Sequence, residues 1–363
     1  MPVIKVRLLI VLSCVAFLLL ACSTPSRKTG DYKIALVPAR AGQHGIFVVN
    51  SDTTGGKLLT PDATAQLRAS SWSPDGTTIA FFSARSEDSE MLKKYRMPFH
   101  FPLYVMDSAG GDQKRLLDFP VSSFEWSPDS SQILYVSAYE DPAGNDRAVL
   151  SGKKEPMSAV YLLSLQTGAR RRVTGFGQNS YGSWSPDGTY LALTFGDDQN
   201  TGLYAASLDG KHTRRLDDSQ GVKIKPVWSP DGKQIAYIGI APRAEGGTSA
   251  AYVIDAGGAN KRRIGNLNAY EVSWSRDGRA LLIQSPEGLS LVYVADNRAV
   301  SLTRGMIQQP RDALFTPDGQ EVMFRSNHEG DWHLYAVDLN GAKLRRITGN
   351  LSASMFCLSP LKR

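Results

Sequence analysis

The chain has 363 residues, of which 41 are Lys or Arg and 35 are Asp or Glu, giving a formal charge of +6. For a chain of this size that is close to neutral, which argues against a strongly basic nucleic-acid-binding protein. Its three cysteines cannot supply a disulfide framework once the front end has been processed.

Residues 1–21 read as a secretory signal. Lys5 and Arg7 precede an apolar run from Leu8 to Ala21, and these 14 residues suit a signal core better than a bilayer span. The run ends in Leu19-Leu20-Ala21-Cys22-Ser23, which resembles a bacterial lipoprotein box. That resemblance implies cleavage before Cys22 and lipid on its thiol, the alternative being an uncleaved anchor. Cys14 then leaves with the signal, Cys357 stays alone, and loss of Lys5 and Arg7 lowers the formal charge to +4. Ser23 stands where an inner-membrane retention signal would have Asp. In a cell with two membranes, the expected destination is therefore the outer membrane, facing the periplasm. Residues 22–31 form a short polar tether.

Three apolar segments follow, at 34–37, 46–49 and 58–60, and read as strands. A repeated turn then takes over. It reads Trp72-Ser73-Pro74-Asp75-Gly76, Trp126-Ser127-Pro128-Asp129-Ser130, Trp184 to Gly188, Trp228 to Gly232, Trp274-Ser275-Arg276-Asp277-Gly278 and Phe315-Thr316-Pro317-Asp318-Gly319, with a decayed copy at Leu358-Ser359-Pro360. The lead residues are 54, 58, 44, 46, 41 and 43 positions apart, a period of about 43 with two insertions, as in four-stranded propeller blades. Each copy precedes an apolar strand, so the tetrapeptide is a hairpin turn: Ser bonds its own backbone, Pro presets φ, Asp suits the third position and Gly takes the left-handed bulge. Ser130 and Arg276 are drift within single blades. Asp75, Asp129, Asp187, Asp231, Asp277 and Asp318 are thus structural turn residues. Lying on separate blades, they do not converge as the six to eight oxygens of a calcium site must. The lead Trp rings are expected to fill the space between blades rather than stack on a ligand.

A third strand follows each second one, as in Leu103 to Asp107, Val160 to Leu163, Leu203 to Ala205, Ala251 to Asp255, Leu291 to Val294 and Leu334 to Asp338. A basic fourth strand completes the unit, as in Lys114-Arg115, Arg171-Arg172, Arg214-Arg215, Arg262-Arg263 and Arg345-Arg346. Spread around a circumference, these pairs read as a charged outer edge that deters strand pairing, in preference to a nucleic-acid patch.

The segment Ser326-Asn327-His328-Glu329-Gly330-Asp331-Trp332-His333-Leu334-Tyr335-Ala336-Val337-Asp338, with Leu344-Arg345-Arg346-Ile347-Thr348 behind it, resembles the WD-like propeller repeat of the TolB family. The repeats run from about Lys33 to Pro360. The resemblance implies protein partners in the periplasm, and the additional amino-terminal domain of TolB proteins is not expected here. The same repeat occurs in peptidase propellers and oligosaccharide-lyase-like proteins, so it specifies fold more than function.

The first unit lacks an innermost strand, and the segment Ser354 to Leu358 is a lone strand at the other end. Joined, they make one composite blade, which with six complete units gives a seven-bladed all-β propeller of four-stranded antiparallel blades over 32–363 as a single domain. Six blades, which the TolB resemblance alone implies, would leave one complete unit unplaced.

The Ser-Pro-Asp-Gly turns share one face. Insertions at 84–101, 138–157 and 239–250 fall on the other, where they are either variable solvated loops or a binding face. Lys93, Lys94, Tyr95, Arg96, Phe99 and His100 form a basic, aromatic group in the first, and Tyr139, Asp141 and Lys153 lie in the second. Innermost strands begin on that same face, where Arg68, Tyr181, Lys225, Glu271, Arg311 and Asp312 ring the channel mouth, as ligand groups or as the lining of a water-filled channel. No Gly-x-Ser-x-Gly elbow occurs, and His44, His100, His212, His328 and His333 show no metal-ligand spacing. The expectation is a monomeric, non-enzymatic, lipid-anchored module binding an envelope protein, without cofactor, metal or nucleic acid. The alternative is a carbohydrate-binding or oligosaccharide-lyase-like propeller using the insertion face.

Overall fold

The computed structural model describes residues 32–38, 45–60, 66–95, 101–139, 158–174, 181–197, 199–209, 211–266, 268–303, 305, 307, 310–349 and 353–361. Its local logic begins in the repeated turn. The Gly76 amide donates to the Ser73 carbonyl at 2.8 Å, and the Ser73 amide to the Thr78 carbonyl at 2.8 Å. Gly76 has a φ of 73°, so this is a type I turn closed by a glycine bulge. The side chains add a relay. Ser73 Oγ donates to Asp75 Oδ1 at 2.5 Å and accepts the Thr78 amide at 3.0 Å, while Asp75 also accepts the Thr77 amide at 3.0 Å. The hydroxyl-to-carboxylate bond recurs at Ser127/Asp129, Ser185/Asp187, Ser229/Asp231, Ser275/Asp277 and Thr316/Asp318, at 2.6 to 2.7 Å. Those hydroxyl bonds hold the carboxyls of Asp129, Asp187, Asp231 and Asp277 below the usual range.

Ser130 occupies the glycine position of its turn with a φ of 62°. Ser130→Gly is expected to stabilise the protein by about 0.5 kcal/mol, relief of left-handed strain exceeding the entropy lost by a more flexible unfolded chain. Thermal unfolding checks this, and a lower Tm would mean that Ser130 side-chain contacts offset the strain.

The described residues build seven four-stranded antiparallel sheets, so the fold is a seven-bladed β-propeller. The first blade is composite, with Ala353–Leu358 innermost and Lys33–Pro38, Phe47–Asn50 and Lys57–Leu58 outward from it. The second comprises Gln66–Trp72, Thr78–Ala84, Leu103–Asp107 and Lys114–Arg115, and the third Ser123–Trp126, Gln132–Ser137, Ala159–Ser164 and Arg170–Arg172. The fourth has Tyr181–Trp184, Tyr190–Gly196, Thr201–Ser207 and Thr213–Asp217; the fifth has Val222–Trp228, Gln234–Ile240, Ser249–Asp255 and Arg262–Ile264. The sixth has Glu271–Trp274, Ala280–Ser285, Gly288–Tyr293 and Ala299–Ser301, and the seventh Arg311–Phe315, Glu321–Ser326, His333–Asp338 and Arg345–Arg346.

In the composite blade, Ile34 pairs with Leu358 and Leu36 with Phe356. Ser359 Oγ accepts the Lys33 amide at 2.8 Å, and the Ser359 amide donates to the Lys33 carbonyl at 2.9 Å. Lys33 therefore plays the part that Thr78 plays in the second blade, although it comes from the other end of the chain. The decayed turn retains its packing role as well. A Cβ placed on Gly76 would lie 3.2 Å from the Pro360 ring, and turn residues Gly188, Gly232 and Gly278 likewise face Pro128, Pro186 and Pro230.

The chain divides into two compact units. One holds the first, second and seventh blades, where Trp72 packs with Ala35, Val37, Val48 and Cys357, and Phe356 with Met323 and Leu334. The other holds the third to sixth blades, where Trp184 packs with Leu134, Val136 and Val160, Trp228 with Ala192 and Ala205, and Trp274 with Ala236 and Ala251. These lead rings are core, each packed with the preceding blade.

The basic fourth strands do more than blunt an edge. Arg115, Arg172, Arg215, Arg263 and Arg346 stand opposite Tyr104, Tyr161, Tyr204, Tyr252 and Tyr335, and the Arg215 guanidinium lies 5.9 Å from the Tyr204 ring. The preceding basic residue reaches the next blade. Lys57 donates to the Ala109 carbonyl at 2.8 Å, Arg171 to Leu208 at 2.5 Å and Arg214 to Gly257 at 3.2 Å. A Thr then closes the strand by accepting a third-strand amide, as Thr60 does from Ile46, Thr174 from Val160, Thr303 from Leu289 and Thr348 from Leu334.

The insertions differ from plain loops. Residues 84–101 contain a 3-10 turn, Ser86–Asp88, and a short helix, Ser89–Tyr95. Asp88 is fully buried at the base, and Phe101 and Val121 exchange amide-to-carbonyl bonds of 3.0 Å. In the fifth blade the strands extend into the expected insertion, leaving 241–248 with a single 3-10 turn, Arg243–Glu245.

Candidate binding site

The residues expected to form the insertion face are only partly gathered there. Lys93 is exposed on the Ser89–Tyr95 helix and pairs with Glu90 at 2.8 Å. Lys94 and Tyr95 end the same helix. Tyr139 is not on a binding face: it is 4% exposed, and its amide donates to Ser137 Oγ at 3.0 Å. Following directly on the second strand, it takes up a core position instead of entering the loop. Arg96, Phe99, His100, Asp141, Lys153 and the lipidation residue Cys22 lie outside the described residues.

Of the residues assigned to the channel mouth, Tyr181, Glu271, Arg311 and Asp312 fall at the starts of innermost strands, while Arg68 is third in Gln66–Trp72 and Lys225 is in the middle of Val222–Trp228. Tyr181 opens the fourth blade, half-buried and opposite Thr194. Among the described residues, four innermost strands carry bulges in this stretch, between Arg68 and Ser70, Ile224 and Val227, Arg311 and Leu314, and Ala353 and Met355. A bulge re-aims side chains, here with Lys225 and Asp312 in the left-handed region, each at a φ of 52°. Lys225 Nζ lies 3.1 Å from Glu271 Oε1 of the next blade, and Gln284 donates to the other oxygen at 3.3 Å. Asp312 instead turns back on its own blade and takes two donors from Arg325.

Sequence reading overlooked Arg325, and with it Glu125. The residue before each lead position is Ser71, Glu125, Ser183, Val227, Ser273, Leu314 and Cys357, and the single charge in that series was the available signal. Glu125 keeps some contact with solvent yet is enclosed by protein, and accepts the Trp184 amide at 3.4 Å. Desolvation pushes its carboxyl up to about 8. Cys357 holds the equivalent place against Trp72, with its thiol 3.2 Å from Ser70 Oγ and pushed up to about 12 by burial.

Because the folded state keeps the Glu125 proton above the pKa of an unfolded Glu, any stability this group supplies is complete at low pH. It is lost as pH rises through about 8. Glu125→Gln is expected to match the parent near pH 4 and to be more stable than it at pH 8. Denaturant unfolding at the two pH values checks this, and equal stability at both would contradict the assignment.

Among the described residues, no group of three His, Cys, Asp or Glu side chains is placed to hold a metal ion, and no helix is long and apolar enough to cross a membrane. Fold and site together define a propeller whose turns consume their own polar groups while its innermost strands present fixed charges. The chain belongs to the TolB beta propeller domain family, whose model matches residues 91–296. It is 30% identical over 145 residues to the Tol-Pal system protein TolB of Bordetella pertussis, covering 38% of this chain and 32% of that one. It is 28% identical over 209 residues to an uncharacterised peptidase, YuxL, of Bacillus subtilis, covering 57% of this chain and 29% of that one. The chain thus spans about a third of the length of these two relatives. Among solved structures, TolB from Acinetobacter baumannii superimposes with a TM-score of 0.53 at 17% identity, over 92% of this chain and 81% of that one. Oligogalacturonate lyase from Vibrio parahaemolyticus gives 0.58 at 14% identity, over 81% and 83%. Both likenesses concern the fold.

Proposed function

We propose that this chain is a non-enzymatic protein-binding module of the bacterial envelope, held to the membrane by lipid on Cys22. Membership of the TolB beta propeller domain family and the relationship to a Tol-Pal system protein support that reading. The carrying observation is the contrast between the turn ends of the innermost strands and the charged residues farther from the turn in the fifth to seventh blades. At the turn end, the hydroxyls and carboxylates bond one another. Farther from the turn, Arg311, Asp312, Lys225 and Glu271 remain accessible. Trp332 speaks against the carbohydrate reading: it is the one Trp outside the repeated turn, and the Arg325 guanidinium already sits 5.0 Å from its ring centre. Cross-linking of the lipidated chain in intact envelopes, compared with a variant carrying Lys93→Glu and Lys94→Glu, tests the reading. Partner proteins reduced in the variant would support it. A parent chain that captures no protein would overturn it.

A further inference from the structure

The seventh blade departs furthest from the repeat, with Phe315-Thr316 where the other complete blades have Trp-Ser. Leu314, in the position that Ser71, Glu125, Ser183, Val227, Ser273 and Cys357 hold in the other blades, is 37% exposed, and with Tyr190 it makes up the exposed large apolar side chains among the described residues. Three residues before it, Arg311 stands directly opposite Arg325 in the sheet register. Like charges directly opposite each other destabilise a strand pair. The blade relieves this for one of the two: Asp312, placed left-handed by the bulge, accepts Arg325 Nε at 2.6 Å and also Nη2. Arg325, its side chain 12% exposed, is thereby neutralised and held over Trp332. Arg311 is exposed and, among the described residues, has no carboxylate partner.

We propose that Arg311 binds a carboxylate in an acidic segment of a partner protein, with an apolar side chain of that segment covering Leu314. This rests on the protein-binding reading above. A guanidinium offers paired donors that match a carboxylate, and the bound anion relieves the opposed Arg311 and Arg325 charges. Asp312 does not repel it strongly, because Arg325 already occupies that carboxylate. The apolar neighbour is the aliphatic Leu314, whereas a sugar ring calls for an open aromatic face.

Calorimetric titration of the soluble mature chain tests this, using three probes: an eight-residue peptide alternating leucine with glutamate, its glutamine counterpart, and trigalacturonate. The glutamate peptide is expected to bind about tenfold more tightly than the glutamine one, and the difference to shrink as salt is raised. Arg311→Gln should remove that tenfold preference, Arg311→Lys should restore part of it, and neither should lower the Tm, the glutamine variant relieving the charge opposed to Arg325. Equal binding of the two peptides, binding of neither, or an unaffected preference in Arg311→Gln would overturn the proposal. Trigalacturonate binding that depends on Arg311 without peptide binding would overturn the peptide assignment. If Arg311→Gln retains every partner cross-linked by the parent, this proposal falls while the protein-binding reading stands.

Discussion

A chain ending at residue 352 is expected to lose its cooperative thermal transition and to be cleaved rapidly by added protease. Removing Ala353–Leu358 takes away the innermost strand of the composite blade and leaves the inner edge of Lys33–Pro38 unpaired. It also removes Phe356 and Cys357, each 6% exposed, from two core clusters, together with the Ser359 bonds to Lys33. A point variant keeps the expectation testable if the truncated chain does not accumulate. Phe356→Ala should cost about 3–5 kcal/mol, because its ring is surrounded by Ile34, Leu36, Met323 and Leu334 on fixed strands that cannot collapse inward. Denaturant unfolding of this variant measures that cost, and a loss below about 1 kcal/mol would show that the closing strand is not needed to hold the blade.

Closure was readable because it is written in the turn chemistry. Three strands without a partner at one end and one strand with a decayed turn at the other fit together only as a single sheet, and Ser359 still makes the bonds of an intact turn. What stayed hidden depends on register. The spacing of Arg171 and Arg172 says nothing about which one reaches the neighbouring blade and which one faces Tyr161, since that follows from strand alternation and the position of the next hairpin. Tyr139 reads as a loop residue because it follows the strand that ends at Ser137, and neither that position nor the local pattern signals its burial. Arg311 and Asp312 could be placed at a strand start from the repeat alone. The bulge that separates their roles requires the pairing with Arg325, thirteen residues beyond Asp312.

The fourth blade supplies the other large effect. Where four blades close the fourth strand with Thr, this one has Asp217, opposite Leu203 in register and 6% exposed. It accepts the Tyr237 hydroxyl at 2.7 Å, Lys261 Nζ at 2.9 Å and the Ser219 amide at 3.0 Å. Lys261 also donates to Ser219 Oγ at 2.7 Å, and Lys223 Nζ, which burial makes less basic, donates to the Ser219 and Gly221 carbonyls. A carboxylate thus ties the fourth blade to Tyr237 and Lys261 of the fifth. Asp217→Ala is expected to cost about 3 kcal/mol, the lower end for a broken buried pair, since Lys261 is a third exposed and can return to water. Asp217→Thr, which restores the residue of four other blades, should lose less, because a hydroxyl opposite Leu203 can accept its amide as Thr60, Thr174, Thr303 and Thr348 do in theirs. Burial pushes the Asp217 carboxyl up, but the bonds from Ser219, Lys261 and Tyr237 outweigh it and bring it down to about 2. Its folded pKa lies below that of an unfolded Asp, so its contribution is complete above about pH 4 and disappears as pH falls toward 2. The stability difference between parent and Asp217→Ala, measured by denaturant unfolding, should therefore be level from pH 5 to 7 and shrink below pH 4. A difference that persists undiminished at pH 2 would mean that the carboxylate's charge is not what joins the two blades.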